Sequence, residues 1–198
     1  RIRDDNLVAI LHALKGTGWG AGRTLAEHEN RLLSLVAPAA APDIEQPLPT
    51  VSRVVPGEWT DYNGHMNESR YGQLFSDAAD ATMRMIGADE AYIAAGLSYF
   101  TVDIRIRFLD EVRAGERVHV TTQVLEGAGK KMRLFHRLYH EDGRELATGE
   151  QFLVHVSLGT RAACPPSDAV AARLAEIAEA HARLPVPEAA GKAVGQRG

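Results

Sequence analysis

The sequence predicts an α+β domain in which a curved antiparallel sheet of about five strands wraps one long central helix. Three observations predict it. Four runs between residues 101 and 158 alternate apolar and polar side chains with period two, the pattern of antiparallel strands covered on one face. Ahead of them, from Asn67 to Ile86, apolar residues recur at steps of three and four, which makes a single helical stripe. One such stripe is too narrow to cover five flat strands, so the sheet must curl around the helix.

Taken in order, residues 4–36 read as two helices. Leu7, Leu11 and Leu14 keep helical spacing, Gly16-Thr17-Gly18 breaks it, and Leu25, Leu32, Leu33 and Val36 resume it. Residues 37–49 are rich in proline and alanine, with Pro38, Pro42, Pro47 and Pro49. That composition marks a semi-rigid linker and places a domain boundary near residue 50.

A short strand is expected from Val51 to Trp59, followed by the loop Thr60 to Met66. In the long helix Tyr71, Leu74, Phe75, Ala78, Thr82, Met85 and Ile86 form the buried stripe. Asn67 suits the N-cap, because its side chain can accept a first-turn N–H, and Gly87 suits the C-terminal stop.

The first long strand, Thr101 to Asp110, sets Val102, Ile104, Ile106 and Phe108 against Asp103, Arg105 and Arg107. In Arg117 to Leu125 the residues Val118, Val120, Thr122 and Val124 share a face. In Lys131 to His140 the residues Met132, Leu134 and Leu138 oppose Arg133, Phe135, Arg137 and Tyr139. In the last run, Glu145 to Leu158, Phe152, Val154 and Val156 align. Gly143 sits where a hairpin turn tolerates positive φ. Ser167 to Leu184 reads as a closing Ala-rich helix with Val170, Leu174, Ile177 and Ala178 apolar. Residues 185–198 have little to bury and are expected to be a flexible tail. The domain thus spans 50–184. Its open sheet leaves an edge for a second copy, so a homodimer or homotetramer is expected.

Composition narrows the function classes. A chain of 198 residues holds one ordinary domain plus tails. Net charge is −4, which gives no global attraction for nucleic acid or for an anionic ligand. No apolar run approaches the roughly 18 residues of a membrane span, and no signal peptide is read at the start. The lone Cys164 excludes an internal disulfide framework and a Cys-rich zinc site, and suits the cytoplasm.

The chemistry-bearing segment is Trp59-Thr60-Asp61-Tyr62-Asn63-Gly64-His65-Met66-Asn67-Glu68, where a strand hands over to the long helix. Asp61, Asn63 and His65 stand at alternate positions just ahead of the helix start. Thioester hydrolysis needs an activated water or a carboxylate nucleophile, together with donors for the oxyanion that forms on the carbonyl. Asp61 suits the first role, and the unpaired N–H groups of a helix N-terminus suit the second. Each residue also has a plainer reading: Asp and Asn before a helix serve as caps and turn residues, and Gly64 supplies a tight turn.

Asp61-Tyr62-Asn63-Gly64-His65-Met66-Asn67, with Tyr71 beyond, resembles the D-x-N-x-H-x-N signature of hotdog-fold acyl thioesterases, the 4-hydroxybenzoyl-CoA thioesterase-like group and its plant acyl-carrier-protein relatives. The resemblance covers about residues 50 to 160. It implies the hotdog fold and acyl-CoA hydrolysis. It also implies that Asp61 acts as nucleophile or general base, and that Asn63 and His65 polarise the carbonyl or orient water. Backbone N–H groups near Asn67 and Glu68 would hold the oxyanion. Some relatives place the acid on the long helix, where Asp77 or Asp80 would serve.

Residues 3–10 and the stretch Gly20-Ala21-Gly22-Arg23 resemble the C-terminal end of L-carnitine dehydrogenases, which in some bacteria are fused to a thioesterase domain taken to hydrolyse betainyl-CoA. The resemblance implies a substrate, betainyl-CoA, a role in carnitine catabolism, and a dehydrogenase domain in cis with residues 1–36 as its remnant. The chain carries no nucleotide-binding Gly-rich motif of its own.

A trimethylammonium acyl group calls for aromatic ring faces, and Trp59 and Tyr62 flank Asp61, with Tyr99-Phe100 further on. For the phosphates of coenzyme A, Lys130, Lys131 and Arg133 form the densest basic cluster, with Arg105, Arg107 and Arg113 as alternatives. A solvated sheet face accounts for those cations equally well. Coenzyme A enters as part of the substrate, and no metal or redox cofactor is implied. Two other functions fit the same features: a hotdog acyl-CoA hydratase or dehydratase, and a non-catalytic module that keeps a fused dehydrogenase dimeric.

Overall fold

The structure, a computed structural model, describes residues 42–196. The two helices expected over 4–36 and the first part of the linker, residues 37–41, lie outside the described residues. The element order is β1 (Leu48–Val54), a 3-10 turn (Gly57–Trp59), α1 (Glu68–Met85), α2 (Glu90–Ala94), β2 (Leu97–Phe108), β3 (Arg117–Ala128), β4 (Lys131–His140), β5 (Glu145–Ser157) and α3 (Asp168–His181). All five strands join one antiparallel sheet in the order β1-β3-β4-β5-β2. α1 lies against the sheet and buries Tyr71, Leu74, Phe75, Ala78, Ala79 and Thr82. This is the hotdog arrangement.

Local chemistry sets the ends of α1. The Asn67 side chain accepts the Ser69 N–H at 3.0 Å, as an N-cap should. At the other end Gly87 takes φ +86°, a left-handed stop that costs a side-chain residue strain. Midway along β5, Gly149 lets Phe75 approach the sheet; a Cβ at this position would stand 2.5 Å from the ring. The helix therefore sits as close to the strands as backbone permits.

Several boundaries differ from the sequence reading. Strand β1 opens at Leu48, three residues ahead of the expected Val51, and Leu48 is fully buried. The end of the linker is tied to α3. His181 Nδ1 accepts the Val124 N–H at 2.8 Å, which leaves its Nε2–H to donate to the Gln46 carbonyl at 3.0 Å. Pro49 is tolerated because β1 is an edge strand with an irregularity between Pro49 and Val51. β1 ends at Val54, ahead of Pro56 and the 3-10 turn. The short helix α2 had no periodic signal, and β2 starts at Leu97, four residues early.

The alternation in β4 is less one-sided than expected. Leu134 and Phe135 face opposite ways, yet both are buried. Phe135 is covered because residues 185–196, expected to be a flexible tail, lie on the outer face of the sheet. Arg105 donates to the Ala189 carbonyl at 3.0 Å, and the Gly191 N–H donates to Glu150 Oε2 at 2.8 Å. What holds this segment is mostly polar, so its composition gave little sign of it.

β2 forms one edge of the sheet. Val102, Ile104 and Phe108 are exposed there, and Leu109 continues the run. Unpaired backbone beside apolar side chains is the surface that strand addition covers.

Candidate active site

The loop ahead of α1 is built from its own backbone. The Asp61 N–H donates to the His65 carbonyl at 3.0 Å, and the Gly64 N–H returns to the Asp61 carbonyl at 3.0 Å. Gly64 has φ +79°, so the tight turn read from the sequence needs this glycine. The Asn63 N–H donates to Asp61 Oδ1 at 2.8 Å. This leaves Asp61 Oδ2 without a partner among the described residues. The loop is anchored to the rest of the fold by the Met66 N–H on the Val112 carbonyl, at 2.8 Å.

A cavity of about 800 Å³ opens at this point. Its walls include Asp61, Tyr62, Asn67 and Glu68 from the loop and helix start, and Tyr71 from the first turns of α1. The facing side is Phe108, Leu109, Asp110 and Glu111, where edge strand β2 ends. The Tyr71 and Phe108 rings meet edge to face, with centroids 5.2 Å apart. The Tyr71 hydroxyl donates to the Asp110 carbonyl at 3.3 Å. Burial first, then the Asp110 and Glu111 carboxylates, push its phenol up to about 12. Asp110 is itself held below the usual carboxylate range by the Glu111 N–H and by Arg144.

The first turn of α1 has one amide to offer. The Asn67 N–H is taken by the Trp59 carbonyl at 2.8 Å, the Ser69 N–H by the Asn67 side chain, and the Arg70 N–H by the Asn67 carbonyl. Of the two amides expected for an oxyanion, Asn67 is therefore engaged. The Glu68 N–H has no acceptor among the described residues.

The cavity gathers Asp61, Tyr62, Asn67 and Glu68 from the residues singled out in the sequence, and leaves others aside. Asn63 is exposed, with only its backbone in the loop bonding. His65 sits behind the loop, its Nε2 3.1 Å from Glu111 Oε1 but out of line for a hydrogen bond. It reaches the cavity only through that carboxylate. Asp77 is paired with Arg53 at 3.0 Å. Asp80 is exposed on α1, its carboxyl raised mainly by partial burial.

The cage expected around Trp59 is not formed. Trp59 is buried, and the guanidinium groups of Arg53 and Arg70 sit over its ring, 4.9 and 5.4 Å from the centroid. Tyr99 is buried edge-on against His155, and Arg161 lies over Phe100. The basic cluster expected for CoA, Lys130, Lys131 and Arg133, does not line this cavity. Arg133 is ion-paired with Glu150 beside a separate cavity of about 470 Å³, and Lys130 donates to the Ala163 carbonyl at 3.1 Å. Missed from sequence were Phe108, Leu109, Asp110 and Glu111. Phe108 and Asp110 read there as the end of an ordinary strand, and no local signal says that this end faces the loop.

The chain is similar to known proteins over this same region. A model of the thioesterase-like superfamily matches residues 54–174. The L-carnitine dehydrogenase/betainyl-CoA thioesterase of Ruegeria pomeroyi is 53% identical over 199 residues, 98% of this chain and 40% of that protein. The betainyl-CoA thioesterase of Pseudomonas aeruginosa is 43% identical over 154 residues, 77% of this chain and 97% of that protein. A solved structure from Pseudomonas putida KT2440, with a provisional thioesterase assignment, matches at TM-score 0.66 and 32% identity. That match covers 77% of this chain and 99% of the other. The chain spans about 40% of the length of the fused relatives it resembles.

Proposed function

This chain belongs to the thioesterase-like superfamily, and we propose that it hydrolyses betainyl-CoA to glycine betaine and coenzyme A, a step of carnitine catabolism. The observation that carries the proposal is Asp61. Asp61, whose Oδ2 has no partner among the described residues, lines a cavity that also contains Glu68, whose amide at the start of α1 has no acceptor among them. The substrate is taken from the relatives of Ruegeria and Pseudomonas, whose names specify betainyl-CoA.

In the general-base route, Asp61 removes a proton from water as the oxygen attacks the thioester carbonyl. The carbonyl oxygen becomes an oxyanion that accepts the Glu68 N–H, where the positive end of the helix favours it. Collapse breaks the C–S bond, and the CoA thiolate takes the proton back from Asp61. In the nucleophilic route, Asp61 attacks directly, expels the thiolate and forms an anhydride that water then cleaves. Single-turnover hydrolysis in ¹⁸O-water separates the two, because only the anhydride route can leave label in the enzyme carboxylate. His65 stands behind the cavity wall, its Nε2 3.1 Å from Glu111 Oε1. The reaction as written needs no metal or redox cofactor.

The working enzyme is read as a homodimer joined through the exposed edge of β2. The cavity wall at Phe108 and Leu109 continues directly from that edge, so a partner would close the site. A dehydrogenase domain in cis fits the fused relatives. The 77% of this chain that matches nearly the whole Pseudomonas protein supports activity without it. The lone cysteine suits a reducing compartment, and the reading places the enzyme in the cytoplasm.

Asp61→Asn keeps the shape of the side chain and its Oδ1 acceptor while removing the base. Thiol release from betainyl-CoA by this variant is expected to fall by at least a hundredfold, with an unchanged circular dichroism spectrum. Near-normal turnover would overturn the assignment of Asp61.

A further inference from the structure

The acyl group of the proposed substrate ends in a quaternary ammonium, which has no N–H to donate. It is held by aromatic faces and by diffuse negative charge. Trp59 does not supply such a face, since Arg53 and Arg70 occupy it. Three rings share the cavity with Asp61: Tyr62, almost fully exposed on the loop, and the pair Tyr71 and Phe108, set edge to face at 87°.

Tyr71 is buried and tethered through its hydroxyl to the Asp110 carbonyl, so its ring is fixed before any ligand arrives. Phe108 is half-exposed at the end of β2. None of the residues lining this cavity is cationic. Negative charge reaches the rings, since Asp110 and Glu111 add to burial in holding the Tyr71 phenol up. Arg144 already pairs with Asp110, so the second carboxylate at that wall is Glu111, which has no Arg or Lys partner among the described residues and whose Oε1 lies 3.1 Å from His65 Nε2.

We infer that Tyr71 and Phe108, with the Glu111 carboxylate beside them, form the subsite for the trimethylammonium end of the acyl group. The enzyme then selects its substrate by positive charge rather than by size. The inference rests on the betainyl-CoA reading and adds to it the residues that discriminate.

The test compares betainyl-CoA with 3,3-dimethylbutanoyl-CoA, in which carbon replaces the nitrogen and the shape is kept without the charge. kcat/KM is measured for both by thiol release, with the full chain. The wild type is expected to prefer the charged substrate by roughly tenfold or more. Phe108→Leu and, independently, the exposed Glu111→Gln are each expected to shrink that ratio several-fold. Because the ratio is internal to each variant, a partial loss of folded protein does not alter it. Equal turnover of the two substrates by the wild type, or variants that slow both alike, overturns the selectivity while leaving the hydrolase reading intact. Turnover of neither substrate by the wild type overturns that reading and this inference together.

Discussion

His136 is fully buried under α1, its ring stacked on Phe75 with centroids 5.5 Å apart. Gln151 Oε1 can only accept, so it takes the Nε2–H at 2.8 Å. Nδ1 then accepts the Thr122 hydroxyl at 2.9 Å. The ring is held neutral in this way, and burial pushes its pKa down from 6.5 to about 4. In the unfolded chain the same ring charges near 6.5. Between these values the unfolded state binds the extra proton and the folded state does not, so acid favours unfolding. The stability is complete above about pH 6.5, declines as pH falls, and levels off below about pH 4. At about 1.4 kcal/mol per pH unit, the gap from 6.5 to about 4 amounts to about 3 kcal/mol. That is a large share of the total stability of a domain this size.

Equilibrium urea unfolding from pH 7.5 to 4.0, at fixed protein concentration, measures the effect directly. His136→Gln serves as the reference, since it removes the titrating group and keeps an amide for hydrogen bonding. Burial also lowers His119 and His181, and both remain in the variant, so their effect cancels in the difference. The wild type should lose about 3 kcal/mol more than the variant across the window. Parallel pH profiles for the two proteins would refute the assignment of this ring as the acid-sensitive group.

Two further outcomes follow from the packing. Gly149→Ala puts a methyl 2.5 Å from the Phe75 ring, and the helix or the ring must move. Thermal or urea unfolding should show a loss of about 1–3 kcal/mol, and an unchanged midpoint would mean that α1 has room to shift. Val102→Asp places a charge on the exposed edge of β2. If the proposed dimer forms through this edge, light scattering should find dimer for the wild type and monomer for the variant, with a native circular dichroism spectrum in both, and a dimer surviving the change would move the interface elsewhere.

Much of the fold was legible because its signals are periodic and local. The stripe from Tyr71 to Ile86 requires a buried helix, and the alternation from Val118 to Val124 requires a half-covered strand, whatever surrounds them. Asn67, Gly87 and Gly143 act within a few residues of themselves, and they stand where they were expected. The loop from Asp61 to His65 was likewise marked by its spacing ahead of α1.

What the sequence by itself determined is therefore the set of elements, their apolar faces and the carboxylate at the mouth of the helix. Tertiary structure alone decided what meets that carboxylate. Trp59, adjacent in sequence, is taken up by Arg53 and Arg70, while Phe108 and Glu111, more than forty positions away, line its cavity. Residues 185–196 are likewise held by Arg105 and Glu150, partners that no local pattern announces. The physical reason is range: propensity, capping and periodicity act over a turn or two of chain, whereas cavity walls and ion pairs depend on how distant strands are ordered in the sheet.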